Sequence, residues 1–318
     1  MTLPMTFRHQ ALPYGSNAEL AAGVLPFVTD GLTAGDAVIV VTTPANAALL
    51  RDALGELRDE VDFVDSKDVY DAPARTLATF YERVADHPGP GRARVVGEPL
   101  WAGLTPFETL EWTRYESLVN VVFAATTGWL LCPYDTRELP ASVLQAAART
   151  HPEVLAADRP ADYVEPRDFY AECNGTALPP APSNADQLRF GGELHSTRRF
   201  ARWAAERAGV RGERAAGFVI AVNEVATNVL QYGGGHGSIA AWTEPGRLLC
   251  DVIDSGPGVD DHFLGHVPPV PDWDRGAGLW VARQLCDLIE IRSGRDGTLV
   301  RLHLRVHGRA FGTAPGGL

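Results

Sequence analysis

The chain has 318 residues, 45% hydrophobic and 21% charged, with a net charge of −12. This is the make-up of a soluble globular protein of about two domains, and it excludes a mostly disordered chain. No apolar run approaches the ~18 residues of a membrane span, and residues 1–10 carry no apolar core of a secretory signal.

The charge is uneven. Residues 1–184 carry 25 acidic and 13 basic side chains, whereas residues 185–318 carry 15 of each. An acidic first half argues against direct DNA binding, which needs a basic face. Arginines number 27 against one lysine, which reads as codon bias rather than chemistry. The cysteines, Cys132, Cys173, Cys250 and Cys286, form no CxxC pair and no zinc spacing, so a reduced, cytoplasmic protein is expected.

In chain order, the spacing of Leu20, Val24, Phe27 and Val28 predicts a helix over 17–30. Ala37–Val41 is a continuous apolar strand, typical of burial on both faces, and it stops at Pro44. A helix over 45–57, a short strand over 61–64 and a helix over 75–84 follow. Then come strand 93–96, helix 107–124, strand 128–132 and helix 139–149. Strands alternating with helices predict a doubly wound, mostly parallel sheet. Residues 158–187 form a Pro-rich linker whose early part has apolar anchors in Tyr163, Phe169 and Tyr170. It divides a domain over 1–157 from a second over 188–318. The second reads as strand 189–192, helices 194–208 and 213–231, strands 237–242 and 248–254, helix 279–287, and a strand pair 288–293 and 298–303. That order predicts an α/β sandwich with a mixed sheet.

The chemistry concentrates in three segments of the second domain. Glu224 and Asn228 stand four apart on a helix and share a face, an oxygen pair suited to Mg²⁺. Asp254-Ser-Gly-Pro-Gly258 ends an apolar strand. Its carboxylate can accept from an exocyclic amine, and Gly256 and Gly258 permit close approach of a planar ring. Arg275-Gly-Ala-Gly-Leu279 opens a helix, where free N–H groups and an arginine suit a phosphate. Singly, these have ordinary readings: a solvated polar stripe, an Asp-Gly turn, a glycine entry to a helix. Their order and context together are specific.

The three segments resemble the nucleotide site of the GHKL ATPase and kinase superfamily over about residues 185–305. Glu224 and Asn228 match its N box, Asp254 to Gly258 its first glycine box and Gly276 to Gly278 its second. Gly297-Thr298 is similar to its closing Gly-Thr, at the adenine end. The resemblance implies ATP and Mg²⁺ as cofactors. The opening FGGELHSTRRFARWAAERAG further resembles the anti-sigma-factor serine kinases, whose domain binds a sigma factor and phosphorylates a serine on an anti-anti-sigma (STAS-type) partner. It implies Glu224 as general base, Asn228 as metal ligand, Arg275 near the γ-phosphate, and Leu279 and Thr298 in the nucleotide site. A homodimer is expected from the same branch, although the sequence itself shows no dimer face. A sensor histidine kinase would need a phosphoacceptor: His151 has no HExxTP-like run, and His195 lies in the first helix of the ATPase domain. Two departures favour a catalytically silent ATP-binding switch. Gln231-Tyr232-Gly233 stands where the family often has His-Gly, and the lid, Val259–Asp274, contains Pro268, Pro269 and Pro271.

The first domain has no GxxxxGK[ST] loop. It resembles instead the MEDS sensory domain over about residues 5–157. The stretches that carry the likeness are His9 with Leu12-Pro-Tyr14, GLTAGDAVIVVTTP, VVGEPLW, and Leu131-Cys-Pro-Tyr-Asp135 followed by Thr150-His-Pro-Glu153. Such domains resemble RecA-like folds and imply a small-molecule ligand. At the strand ends it would meet His9, Glu98, Trp101, Cys132, Tyr134 and Asp135. The combined expectation is a sensor that gates a kinase in response to a small-molecule or stress signal.

Overall fold

The structure, a computed structural model, describes residues 6–85, 91–155, 160–269 and 276–307. The chain forms two compact units, one ending at Tyr170 and the other beginning at Ala171.

The first unit runs β1 (Arg8–Tyr14), α1 (Asn17–Ala34), β2 (Ala37–Thr42), α2 (Pro44–Leu54), β3 (Asp62–Asp65), α3 (Ser66–Val69) and α4 (Pro73–Ala85). It continues through β4 (Ala93–Gly97), α5 (Pro106–Val122), β5 (Trp129–Asp135), α6 (Ala141–Thr150), β6 (Glu153–Val154) and α7 (Pro166–Asn174), which crosses the boundary. All five strand pairings are parallel, in the order β3-β2-β4-β5-β1-β6. Connections from β1 and β2 move one way across the sheet and those from β3, β4 and β5 the other. Right-handed crossovers therefore put α1 and α2 on one face and α4, α5 and α6 on the opposite face. The core divides the same way: Leu12, Val24, Val40 and Leu131 cluster on the α1 side, and Ala11, Cys132, Val143 and Ala147 on the α6 side.

The helix ends follow local chemistry. Ser16 and Thr43 cap α1 and α2 by accepting backbone N–H groups. Pro44 begins α2 at its first position, where proline is tolerated, rather than merely ending β2. Thr105 and Glu108 form a reciprocal capping box on α5. The segment expected as a linker holds more structure than its proline content suggests. Phe169 and Tyr170 of α7 are buried, with Arg149 and Arg114 over their respective rings.

The second unit contains β7 (Asp186–Gly191), α8 (His195–Arg207), α9 (Gly212–Tyr232), β8 (His236–Glu244), β9 (Arg247–Asp254), α10 (Ala277–Leu285), β10 (Leu288–Gly294) and β11 (Gly297–Arg305). The α/β sandwich is as expected, but its sheet, ordered β10-β11-β9-β8-β7, is antiparallel at every pairing rather than mixed. The reason lies in strand placement. β9 and β10 do run in the same direction, joined through α10, but β11 inserts between them, so no parallel pair forms. One face carries the apolar core, including Val222, Val225, Ile239, Cys250, Val252, Leu279 and Leu302. On the opposite face Arg301 grips Asp251 with two 2.7 Å bonds, donates to the Pro179 carbonyl and lies over the Trp242 ring. Arg292 likewise holds Thr176 and Asn174 there. Residues 174–179 thus strap the back of the second sheet.

Among the described residues no helix is long and apolar enough to cross a membrane.

Candidate functional sites

In the second unit the three motif segments meet at one end of the sheet. Asp254 is the last residue of β9, and Thr298 lies directly opposite it on β11. Directly paired residues project to the same face, and alternation with Val252 and Val300 makes that the helix-covered face. The Asp254 carboxylate accepts the Gly256 N–H at 2.8 Å, which turns the chain sharply out of the strand. Three glycines make room around it. A Cβ on Gly233, just past α9, would stand 2.7 Å from the Asp254 carboxyl carbon, and one on Gly256 would stand 2.7 Å from the Gly233 Cα. A Cβ on Gly297 would collide with the Asp254 carbonyl oxygen. Gly258 and Gly297 both take positive φ, 81° and 128°. The Thr298 hydroxyl lies 3.0 Å from that of Ser293, which accepts the Val259 N–H at 2.7 Å, tying the first glycine segment to the β10–β11 hairpin.

Glu224 and Asn228 stand one turn apart on α9, both half-buried. Glu224 faces the start of α10: a Cβ on Gly278 would lie 2.7 Å from its Oε2. Gly276 caps α10 in the left-handed region at φ 89°, with no side chain closing the helix end. The first-turn N–H groups of α10, from Ala277, Gly278 and Leu279, therefore have no intrahelical acceptor. Leu264 and Gly265 of the expected lid pack against Gly276 and Leu279. Arg275, and the lid from 270 onward with Pro271, lie outside the described residues. An adenine-nucleotide site needs a carboxylate at a strand end, glycine clearance beside it, open helix N–H groups and oxygen donors for a metal. The described residues fit each requirement.

In the first unit the expected pocket residues do not form one group. Side chains alternate along β5, so Cys132 and Tyr134 face α5 and α6, while Asp135 belongs to the other side. Asp135 is held by Arg137 at 2.6 and 2.9 Å, and that guanidinium keeps its carboxyl below the usual range. Glu98 is a clamp at the ends of β1, β2 and β4. It accepts from Tyr14 at 3.1 Å, from Thr42, and from Asn46 at 2.9 and 3.0 Å. His9 and Cys132 do come together, with His9 Nε2 3.4 Å from Cys132 Sγ. Tyr134 and the Trp101 ring, 6.2 Å apart between centroids, flank them.

Two further residues complete this cluster. Glu116 of α5 and His151, just after α6, are both fully buried, and each histidine Nε2 is 3.5 Å from Glu116 Oε2. Burial holds His9 near a pKa of about 4 and His151 near about 3, and pushes the Glu116 carboxyl up to about 7. In the sequence His151 stands out as a candidate phosphoacceptor and within Thr150-His-Pro-Glu153, whereas Glu116 belongs to no motif. The available signal was the Glu116–Asn120 pair, four apart on one helix, the same spacing as Glu224–Asn228.

The geometry defines a two-part protein: a parallel α/β unit with a buried polar cluster, and an α/β sandwich whose three motif segments meet at one end of its sheet. Sequence comparison names both parts. Residues 8–152 match the family model of MEDS, the methanogen/methylotroph, DcmR sensory domain. Residues 192–304 match that of the histidine kinase-like ATPase domain. The chain thus holds a MEDS domain over residues 8–152 and a histidine kinase-like ATPase domain over residues 192–304. No curated protein matches it. Among solved structures, the histidine kinase domain of the blue-light activated histidine kinase from Erythrobacter litoralis EL346 is 21% identical. That match covers 43% of this chain and 77% of that one, with a TM-score of 0.24. A longer chain of the same kinase is 21% identical over 34% of this chain and 40% of its own length, TM-score 0.24. The histidine kinase domain of the E. coli osmosensor EnvZ is 22% identical over 44% of this chain and all of that one, TM-score 0.25.

Proposed function

We propose that the protein is a signal-responsive anti-sigma regulatory factor. Its second unit acts as an ATP- and Mg²⁺-dependent serine kinase toward an anti-anti-sigma (STAS-type) protein and sequesters a sigma factor. The observation that carries the kinase reading is the carboxylate of Glu224 beside Gly278 at the start of α10. That is where a terminal phosphate and an incoming hydroxyl would meet. Asn228, one turn on, would hold the metal, Asp254 would take the adenine amine, and Arg275, which lies outside the described residues, would neutralise the γ-phosphate. Bound MgATP supplies the phosphoryl group. Glu224 accepts the serine proton as the serine oxygen bonds to phosphorus and ADP leaves. Positioning and charge neutralisation supply most of such catalysis.

The histidine kinase reading draws support from the family match of the ATPase domain. His151 is fully buried, so this reading would use His195, exposed at the start of α8, as its phosphoacceptor. A silent switch would bind nucleotide and partners without turnover.

One experiment separates the three. The chain is incubated with γ-labelled ATP, Mg²⁺ and a STAS-type partner, as wild type, Glu224→Gln and His195→Ala. Acid-stable label on the partner, lost by at least ~10²-fold in Glu224→Gln, is expected, the scale of a general-base contribution. Acid-labile label on the chain itself, lost in His195→Ala, would establish the histidine kinase instead. Nucleotide binding without label anywhere would establish the switch. Mg²⁺-dependent ATP binding by calorimetry is expected to fall in Asn228→Ala.

A further inference from the structure

The buried cluster of the first unit has a donor arrangement that hydrogen bonding within the protein does not satisfy. His9, Glu116, Cys132 and His151 each point one ligand atom at a common centre, and these atoms all lie within 4.8 Å of one another. The four residues are at most 4% exposed.

Each histidine's tautomer follows from its other ring nitrogen. Asn120 Nδ2 donates to the Thr150 carbonyl at 2.7 Å and lies 3.4 Å from that of Ser117, so its Oδ1 is the atom facing His9. An amide oxygen only accepts, so His9 Nδ1, 3.0 Å away, carries the hydrogen. His151 Nδ1 is 2.9 Å from the Ala147 carbonyl, which also only accepts. In the neutral rings both Nε2 atoms therefore turn bare lone pairs toward Glu116 and Cys132. The Cys132 thiol can serve His9 at 3.4 Å. His151 Nε2 has no hydrogen-bond partner, and the Tyr134 hydroxyl is the neighbouring donor for the otherwise unmet Glu116 carboxylate. Lone pairs converging in a dry interior are costly unless a proton or a metal cation joins them.

We infer that His9, Glu116, Cys132 and His151 form a binding site for a single divalent transition-metal ion of the zinc class. Three of the six separations, 3.4, 3.5 and 3.5 Å, match the edges of a tetrahedron, and the others lie within 4.8 Å. Metal–nitrogen and metal–oxygen bonds of ~2.0 Å and a metal–sulfur bond of ~2.3 Å give edges of about 3.3–3.6 Å. Two imidazoles, one thiolate and one carboxylate suit zinc in softness and coordination number. Two neutral and two anionic donors balance a dication, so the loaded site carries no net charge into the core. The Nδ1 hydrogen bonds to Asn120 and Ala147 are the outer-shell partners that orient metal-bound histidines. Tyr134 is placed to hydrogen-bond Glu116. Four protein donors close the coordination sphere, so the ion would tie β1, β5, α5 and the end of α6 together.

The test uses the full chain, purified without metal-affinity steps, assayed for bound metals, then stripped and titrated with Zn²⁺ and Co²⁺. The expected result is one zinc ion per chain and, with Co²⁺, a tetrahedral visible spectrum with a near-ultraviolet sulfur-to-cobalt band. Cys132→Ser should lose that band, and Cys250→Ala should keep it. Asn120→Ala should weaken Co²⁺ binding by about 10–100-fold, the usual cost of removing an outer-shell partner. Restoring Zn²⁺ to the stripped wild type should raise its melting temperature. The wild type alone suffices to overturn the assignment. A folded, stripped chain that takes up neither ion, or whose cobalt spectrum lacks the sulfur band, would show the cluster to be a polar core only. A sulfur band unchanged in a folded Cys132→Ser variant would also overturn it.

Discussion

Residue by residue, the glycines around Asp254 differ in what they hold open. Gly256 is boxed in by backbone: a Cβ there would stand 2.7 and 2.8 Å from the Cα and carbonyl carbon of Gly233, and 3.1 Å from Asp254 Oδ1. Main chain cannot yield as a side-chain tip can. Gly256→Ala is therefore expected to cost about 1–3 kcal/mol by overpacking and, by displacing Asp254, to weaken nucleotide binding. Gly294 is the matched control, since a Cβ there meets nothing within 4 Å. Denaturant melts and nucleotide titration of both alanine variants check this, with Gly294→Ala expected to behave as wild type. The same scale explains why the expected sensory residues separated. Tyr134 and Asp135 are neighbours in sequence, yet a strand's two-residue period sends them to opposite faces. Glu98 is occupied by three side-chain donors and works as a clamp.

At the scale of elements, the two sheets are braced differently. The back of the second sheet depends on Asp251 and Arg301, whose side chains are 1% and 6% exposed. Removing one member of a buried pair strands the other's charge. Asp251→Ala is expected to cost ~3–5 kcal/mol, whereas replacing both residues with apolar side chains of similar volume should come close to neutral. Chemical denaturation of the single and paired variants tests this. Helix α5 shows a smaller local effect. Its capping box joins Thr105 and Glu108 on the exposed surface, so Thr105→Ala should cost about 1 kcal/mol in thermal or denaturant melts. Most helices and strands are legible from apolar spacing, and their observed ends fall close to the expected ones. β1 is one of the exceptions, with α3, β6 and α7. Its sequence RHQALPY alternates no apolar face, because His9 and Gln10 are buried polar residues with partners in Asn120, Glu153 and Trp129. A strand whose buried positions carry chemistry loses the pattern that would announce it.

For the molecule as a whole, the division near residue 170 makes a prediction about ligand linkage. A ligand that binds only the folded state stabilises the unit that holds it, by ~2.7 kcal/mol at a hundredfold excess over Kd. Saturating MgATP should slow amide exchange across α9, α10, β9 and β11, and Asn228→Ala should abolish that slowing at equal nucleotide. Hydrogen exchange followed by mass spectrometry reads the outcome segment by segment.

The sequence alone determined the two-domain order, the alternating strand and helix plan, and the nucleotide motifs, because these are written in local periodicity and short spacings. Glu224 to Asn228, Asp254 to Gly258 and Gly276 to Leu279 each lie within one turn or loop, where spacing dictates geometry. Only the tertiary structure decided that β11 separates β9 from β10 and makes the second sheet antiparallel throughout. Only it gathered His9, Glu116, Cys132 and His151, which are up to 142 residues apart, since His9 and His151 open and close the set. Local rules carry no information across such separations. Strand order and the packing of α5 and α6 on one face bring those four side chains to a common centre.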